Sequence, residues 1–235
     1  MKQTHTTAHH AVGRRPKSKG TDMDTRRDIL SAARTVFALK GFAGTSVREV
    51  AEAARVNKAM IYYYFQNKVD LYRAVLSDSF EAMQNIWQHE IFQGNAPARQ
   101  KIQTYIEGFI HFQLRNQDLR RILASEFTTT GTKSGNLKWI AEKYFSKNHV
   151  ALVKILEEGM KSGELKKMNP FMAVVALLGM ITHSFIYLPI APYIQKKKVT
   201  MTASQVGAFV TELFFGGLNG NNVTRIYQEK TEVLS

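Results

Sequence analysis

The sequence predicts an all-α chain of about nine helices, arranged as a small N-terminal unit and a larger C-terminal one. Three observations predict it. No polar–apolar alternation runs long enough for a strand. From Thr25 onward, apolar residues recur at spacings of three and four along nearly the whole chain. Helix starts and stops punctuate that pattern, with Ser46, Asn57, Asn67 and Asn169-Pro170 as starts and Gly41, Gly163 and Gly216-Gly217 as stops.

Taken in order, residues 1–23 read as a basic arm, interrupted by Gly13, Pro16 and Gly20. The first helix is expected over Thr25–Lys40, where Ile29, Ala33 and Phe37 share a face and Thr25 and Asp28 have capping-box spacing. A second starts at Ser46, boxed by Glu49, and buries Val47, Val50, Ala51 and Ala54. A third, short helix follows Asn57 and buries Ile61 and Phe65. A fourth follows Asn67, with Leu71 and Val75 on its apolar face. After Gly94, Asn95 and Pro97, helices are expected at about 97–115, 118–128, 137–161, 170–188 and 202–215. The domains are then 24–70, for the first three helices, and 71–219, with a tail at 220–235.

The chain has 235 residues, enough for a sizeable core, and a net charge of +13. Residues 1–70 hold 13 Lys and Arg against 6 Asp and Glu, the higher density of positive charge. Such a balance favours a polyanionic partner, nucleic acid or an anionic membrane face. Cysteine is absent, which excludes disulfides, thiolate nucleophiles and cysteine-based zinc sites and is compatible with a cytoplasmic location. The polar N-terminus does not read as a secretory signal. No Gly-x-Ser-x-Gly elbow, phosphate-cradling glycine loop or His-Glu-x-x-His occurs. His89, His111, His149 and His183 fall on different helices without metal-ligand spacing. Neither an enzyme, a cofactor nor a metal is therefore expected.

The second and third helices, joined by Ala54-Arg55-Val56, make a helix-turn-helix candidate. In such a unit the second helix enters the major groove, so its N-terminal residues must reach base edges or phosphates. Lys58 can donate to guanine acceptors or to phosphate, and Ala59 and Met60 can pack on thymine methyls. Tyr62, Tyr63 and Tyr64 carry polar tips suited to phosphates, and Lys68 opens the next helix. Three adjacent side chains on a short helix cannot all be buried.

Thr25–Val75 closely resembles the N-terminal domain of the TetR/AcrR family of bacterial regulators. The resemblance is carried by Thr25-Arg26, Ile29, Ala32-Ala33, Phe37, Gly41-Phe42, Thr45 to Ala51, Val56, Ile61 to Phe65 and Lys68. It implies that Arg48, Lys58, Ala59, Met60, Tyr62 and Tyr63 face DNA and that Ser46, Tyr64 and Lys68 anchor phosphates. Two positions depart from the family pattern. Arg55 stands where a turn glycine is usual, and Tyr64 where histidine is common.

The resemblance further implies an effector pocket and a dimer interface in the C-terminal part. Candidate pocket residues are Phe109, Phe112, Phe127, Trp139, Tyr144, His183 and Tyr187, an apolar set with few polar groups that would suit a small lipophilic or aromatic effector. Each could equally be core. Phe171–Leu188 carries no charged residue. It reads either as a membrane span or as a helix buried between its own core and a second subunit, and the second reading is the expected one. A homodimer through the last two helices would match a near-palindromic operator. The functional expectation is a ligand-released repressor. The alternatives are an activator of the same kind, a helical enzyme, or a peripheral membrane protein using Lys196-Lys197-Lys198.

Overall fold

The computed structural model describes residues 22–90, 95–130, 135–196 and 198–216. The basic arm, apart from its last two residues, and the tail expected at 220–235 lie outside them. The described residues form helices and no strand.

Helix α1 spans Asp22–Gly44, three residues longer at its start than the Thr25 cap predicts. Asp22 and Asp24 occupy the first turn, where carboxylates oppose the positive end of the helix dipole. The Thr25–Asp28 pair therefore lies inside the helix rather than at its cap. Gly41 breaks the helix with φ 68°, and Phe42 to Gly44 turn once more beyond it. A β-carbon at Gly41 would sit 2.6 Å from the Ser125 hydroxyl, so glycine serves both the turn and the close approach of another helix.

Helices α2 (Val47–Ala53) and α3 (Lys58–Tyr64) start at the expected caps. The Ser46 hydroxyl accepts from the Glu49 amide while the Glu49 carboxylate accepts from the Ser46 amide, a complete capping box. Asn57 accepts from the Ala59 amide. Helix α4 (Lys68–Glu90) begins with Asn67 accepting from Asp70. Ile29, Ala33, Phe37, Val50, Ile61, Phe65, Leu71 and Val75 together form the core of this N-terminal unit. Truncating a ring as buried as Phe37 costs about 3–5 kcal/mol.

The C-terminal bundle comprises α5 (Ala98–Arg115), α6 (Gln117–Ser125), α7 (Gly135–Ile140), α8 (Ser146–Lys161), α9 (Pro170–Tyr187), α10 (Ala191–Gln195) and α11 (Ala203–Gly216). The single helix expected over 137–161 is two helices joined by a widened, π-helical turn at Ala141–Phe145. That turn brings Tyr144 inward, where it stacks on Phe80 of α4 at 4.3 Å. Ile102, Tyr105, Ile106 and Ile110 of α5 meet Leu152 and Leu156 of α8, Val174, Leu177 and Ile181 of α9, and Val206 and Val210 of α11. Gly159 is necessary to this packing, since a β-carbon there would lie 2.7 Å from both Ala98 and Leu165.

The two units are joined through the α6 end. A second π-helical turn at Glu126–Thr130 follows α6 and carries Glu126, which is buried. The buried Tyr72 hydroxyl of α4 donates to Glu126 at 2.9 Å. Tyr72 also packs against Phe37 and Phe42, each 4.9 Å away. Burial, and secondarily the Glu126 carboxylate, raise its phenol far above the usual range.

Candidate nucleic-acid interface

The chain between α2 and α3 reverses within four residues. Arg55 adopts the left-handed conformation, φ 56°, where the family pattern has glycine. Its amide donates to Glu52, and the Val56 amide reaches back to Ala51 at 3.0 Å. This turn places α3 across α2, with Ile61 and Phe65 pinned in the core. Core anchors on one side of α3 force the other side outward.

Lys58, Ala59, Tyr62 and Tyr63 occupy that outer side and are exposed, Tyr63 at 72% and Tyr62 at 48%. The Lys58 ammonium lies 5.5 Å from the Tyr62 ring centre, a cation over an aromatic face. Met60 is half-buried and so offers only part of its side chain. On α2, Arg48 is exposed and paired with Glu52 at 2.9 Å, a contact weak enough at a surface to yield to a phosphate. Ser46 is exposed but committed to its cap.

Two of the expected phosphate anchors are held elsewhere. The Lys68 ammonium donates to the backbone carbonyls of Phe42 and Thr45, both at 2.9 Å, and lies over the Phe42 ring. It fastens the end of α1 and the residue after it onto the start of α4, a structural tie. The Tyr64 hydroxyl is engaged with the Asp22 carboxylate and carbonyl, fastening α3 to the first turn of α1. That hydrogen bond raises the Tyr64 phenol. Sequence reasoning missed both ties because the partners are backbone atoms and a residue 42 positions away. It also missed Lys40, whose pairing with Glu49, together with the Ser46 cap, lowers the Glu49 carboxyl to about 2.

The expected pocket residues do not converge. Tyr144 is fully buried and filled around by Phe80 and Trp139. Phe109 and Phe112 stack on each other along half-buried α5, 6.4 Å apart. Phe127 is 55% exposed on the turn after α6. His183 and Tyr187 pair at 5.5 Å on the outer face of α9. Trp139 lines an open groove between α1, α4 and α7. Helical spacing cannot tell a core ring from a lining ring, which explains the scatter.

A tight turn between two capped helices, the second exposing a cation and aromatic polar tips from a fixed core anchor, defines a helix-turn-helix DNA-binding unit. Residues 29–75 match the family model described as "Bacterial regulatory proteins, tetR family". The chain is 29% identical over 143 residues to "Probable HTH-type transcriptional regulator YttP" of Bacillus subtilis (strain 168), covering 60% of this chain and 68% of that protein. It is 29% identical over 142 residues to the HTH-type transcriptional repressor NicS of Pseudomonas putida, covering 59% and 65%. The fold matches the solved transcriptional regulator FadR of Bacillus subtilis in complex with stearoyl-CoA, with a TM-score of 0.64 at 22% identity over 81% of this chain and 98% of that one. Residues 29–75 are thus a TetR-family DNA-binding domain, and the chain is similar to TetR/AcrR transcriptional regulators beyond it. It is a DNA-binding regulator and not an enzyme.

Proposed function

We propose that the chain is a homodimeric, cytoplasmic repressor that holds a near-palindromic operator through α3 and releases it when a small lipophilic effector binds the C-terminal bundle. The observation that carries the DNA side is the outward cluster of Lys58, Ala59, Tyr62 and Tyr63 on a helix anchored by Ile61 and Phe65. Lys58 and the exposed Arg48 contact bases or backbone, while Ser46 and Met60 border the contact. On this reading the DNA-binding unit runs from residue 22 through the first two turns of α4, to about residue 75, and the effector and dimer unit from there to 216. The start of α1 supports the first limit, and the Lys68 tie with the buried Leu71 and Val75 supports keeping the head of α4 in the DNA-binding unit.

The dimer reading rests on α9. Phe171, Met172, Val175, Ile186 and Tyr187 are each about half exposed on its outer face, and the helix contains no charged residue. A contiguous apolar face of this kind favours a second copy, whose own α9 and α11 would cover it. By length and composition α9 could cross a membrane. Its inner face is instead packed in the bundle through Ala173, Val174, Leu177 and Ile181. Repression follows NicS, a relative named as a repressor. A lipophilic effector agrees with the structural neighbour solved with stearoyl-CoA and with the half-buried Phe109, Phe112, Met160, Met180 and Phe185 around the bundle core.

The test is selection of random duplexes by the purified chain, followed by anisotropy on the enriched sequence. Inverted half-sites at one or more helical turns are expected, with release on titrating an acyl-CoA thioester. Enrichment of an asymmetric single site, or tighter binding when the thioester is added, would overturn the corresponding part of the proposal.

A further inference from the structure

The groove between α1, α4 and the α7 turn, about 390 Å³ in volume, lies at the joint of the two units rather than in the bundle core. One stripe of α4 lines it, Asp70, Arg73, Ala74, Ser77, Asp78 and Glu81, facing Arg26 across from α1 and Trp139 and Lys143 from the α7 turn. Arg73 and Lys143 converge in the middle, each 5.1 Å from the centre of the Trp139 ring. Of the carboxylates, Asp70 and Glu81 stand toward the ends of the stripe, and Asp78 stands mid-stripe, beside Ser77.

The middle cations have no carboxylate partner among the described residues. Asp78 is committed to Arg34, and Asp70 accepts from the Gln66 amide. Among the described residues neither Arg73 nor Lys143 forms an ion pair. Arg73 Nε is buried without a hydrogen-bond partner, an expensive state for a charged donor. Lys143 is positioned by donating to the Ser77 hydroxyl at 3.2 Å, and that hydroxyl in turn bonds the Tyr144 phenol at 2.6 Å. A fork of donors and an ammonium held over one indole is a receptor for a compact anion.

We propose that this groove binds an oxyanion, a phosphoryl or carboxylate group of a small polar molecule, between Arg73 and Lys143 beside Trp139. Bound there, the anion bridges α4 to the α7 turn with Arg26 of α1 lining the opposite wall, and so acts on the helix that leads out of the DNA-binding unit. Its action as an effector rests on the regulator reading above, whereas its binding does not.

Calorimetry on the full chain without DNA tests the binding, with inorganic pyrophosphate and citrate as separate probes. Saturable binding of one of them is expected, and which one binds assigns the phosphoryl or the carboxylate source. Arg73→Gln and Lys143→Gln should each weaken it roughly tenfold, with helix content by circular dichroism unchanged. Glu81→Gln should bind as tightly as the parent or more tightly. Lack of saturable binding by either probe, or equal binding in folded Arg73→Gln and Lys143→Gln, would overturn the proposal.

Discussion

Tyr62 and Tyr63 on α3 are about as exposed as Phe171, Met172 and Tyr187 on α9, yet the two helices solve different problems. The α3 aromatics stand beside Lys58, on a seven-residue helix whose N-terminus is capped and whose last turn is pinned by Phe65. Their rings are amphipathic, and their phenol tips suit a wet, anionic surface. The α9 side chains stand on eighteen uncharged residues. There the outward face is almost as apolar as the inward one, and water is its least favourable neighbour. Equal exposure therefore has opposite meanings. On the proposed reading, the first surface suits a polyanion and the second another apolar surface.

The comparison can be broken most severely at α9. Val175→Asp should weaken self-association about a hundredfold or more, since an unpaired carboxylate would be buried at the seam. Sedimentation equilibrium should then show a folded monomer, and operator affinity should fall with it. A dimer that persists unchanged would remove α9 from the interface.

At α3, Lys58→Ala combined with Tyr62→Ala should lower operator affinity by roughly 2–4 kcal/mol, read by anisotropy. Lys58→Ala alone should also reduce the logarithmic salt slope by about one if it meets a phosphate. Self-association should be unaffected, which separates the two surfaces.

The joint between the units should respond next. Tyr72→Phe deletes a buried donor to Glu126 and should cost about 1–3 kcal/mol in urea unfolding. Operator affinity measured well below the unfolding midpoint should change less than stability does.

The capping box gives a smaller and pH-dependent effect. Ser46→Ala should destabilise by about 1 kcal/mol. Glu49 is held at about 2 in the folded state against 4.5 ordinarily, by Lys40 first and then by Ser46. Its stabilising contribution is therefore complete above pH 4.5 and disappears as pH falls toward 2. The difference between the parent and Glu49→Gln in urea midpoint should shrink across that window. Smallest of all, Arg55→Gly should relieve a left-handed residue worth about 1–2 kcal/mol, offset by about 0.5–1 kcal/mol of added chain entropy. A net change near zero or slightly stabilising is expected.

The N-terminal unit was legible because its information is local. Ser46 with Glu49, Asn57 with Ala59, and Asn67 with Asp70 lie within one helical turn, and the structure forms each contact. Arg55 could be placed in the left-handed turn from the glycine that the family pattern has there. The ties of Lys68 and Tyr64 were not legible, because each depends on where the end or the start of α1 comes to rest. In the C-terminal bundle the helices at 98–115, 170–187 and 203–216 follow the sequence closely. The break at Ala141–Phe145 does not, since it accompanies the stacking of Tyr144 on Phe80, 64 positions away. The aromatic residues offered as a pocket set separated into core, groove and outer face, three fates that share one periodicity.

The bond from Tyr72 to Glu126 has a mechanical corollary. It fastens α4 one turn from its beginning, leaving about 27 Å of helix on the effector side and about 6 Å on the DNA side. Where the contacts of Ser77 and Phe80 with Tyr144 give way, a rod pinned so near one tip is an unequal lever. Sideways travel of a few ångströms at the long arm would arrive at the short arm as tilt, with translation reduced about fourfold. In the proposed dimer, an inducer working through this rod would thus alter the angle at which α3 is presented far more than the distance between its two copies.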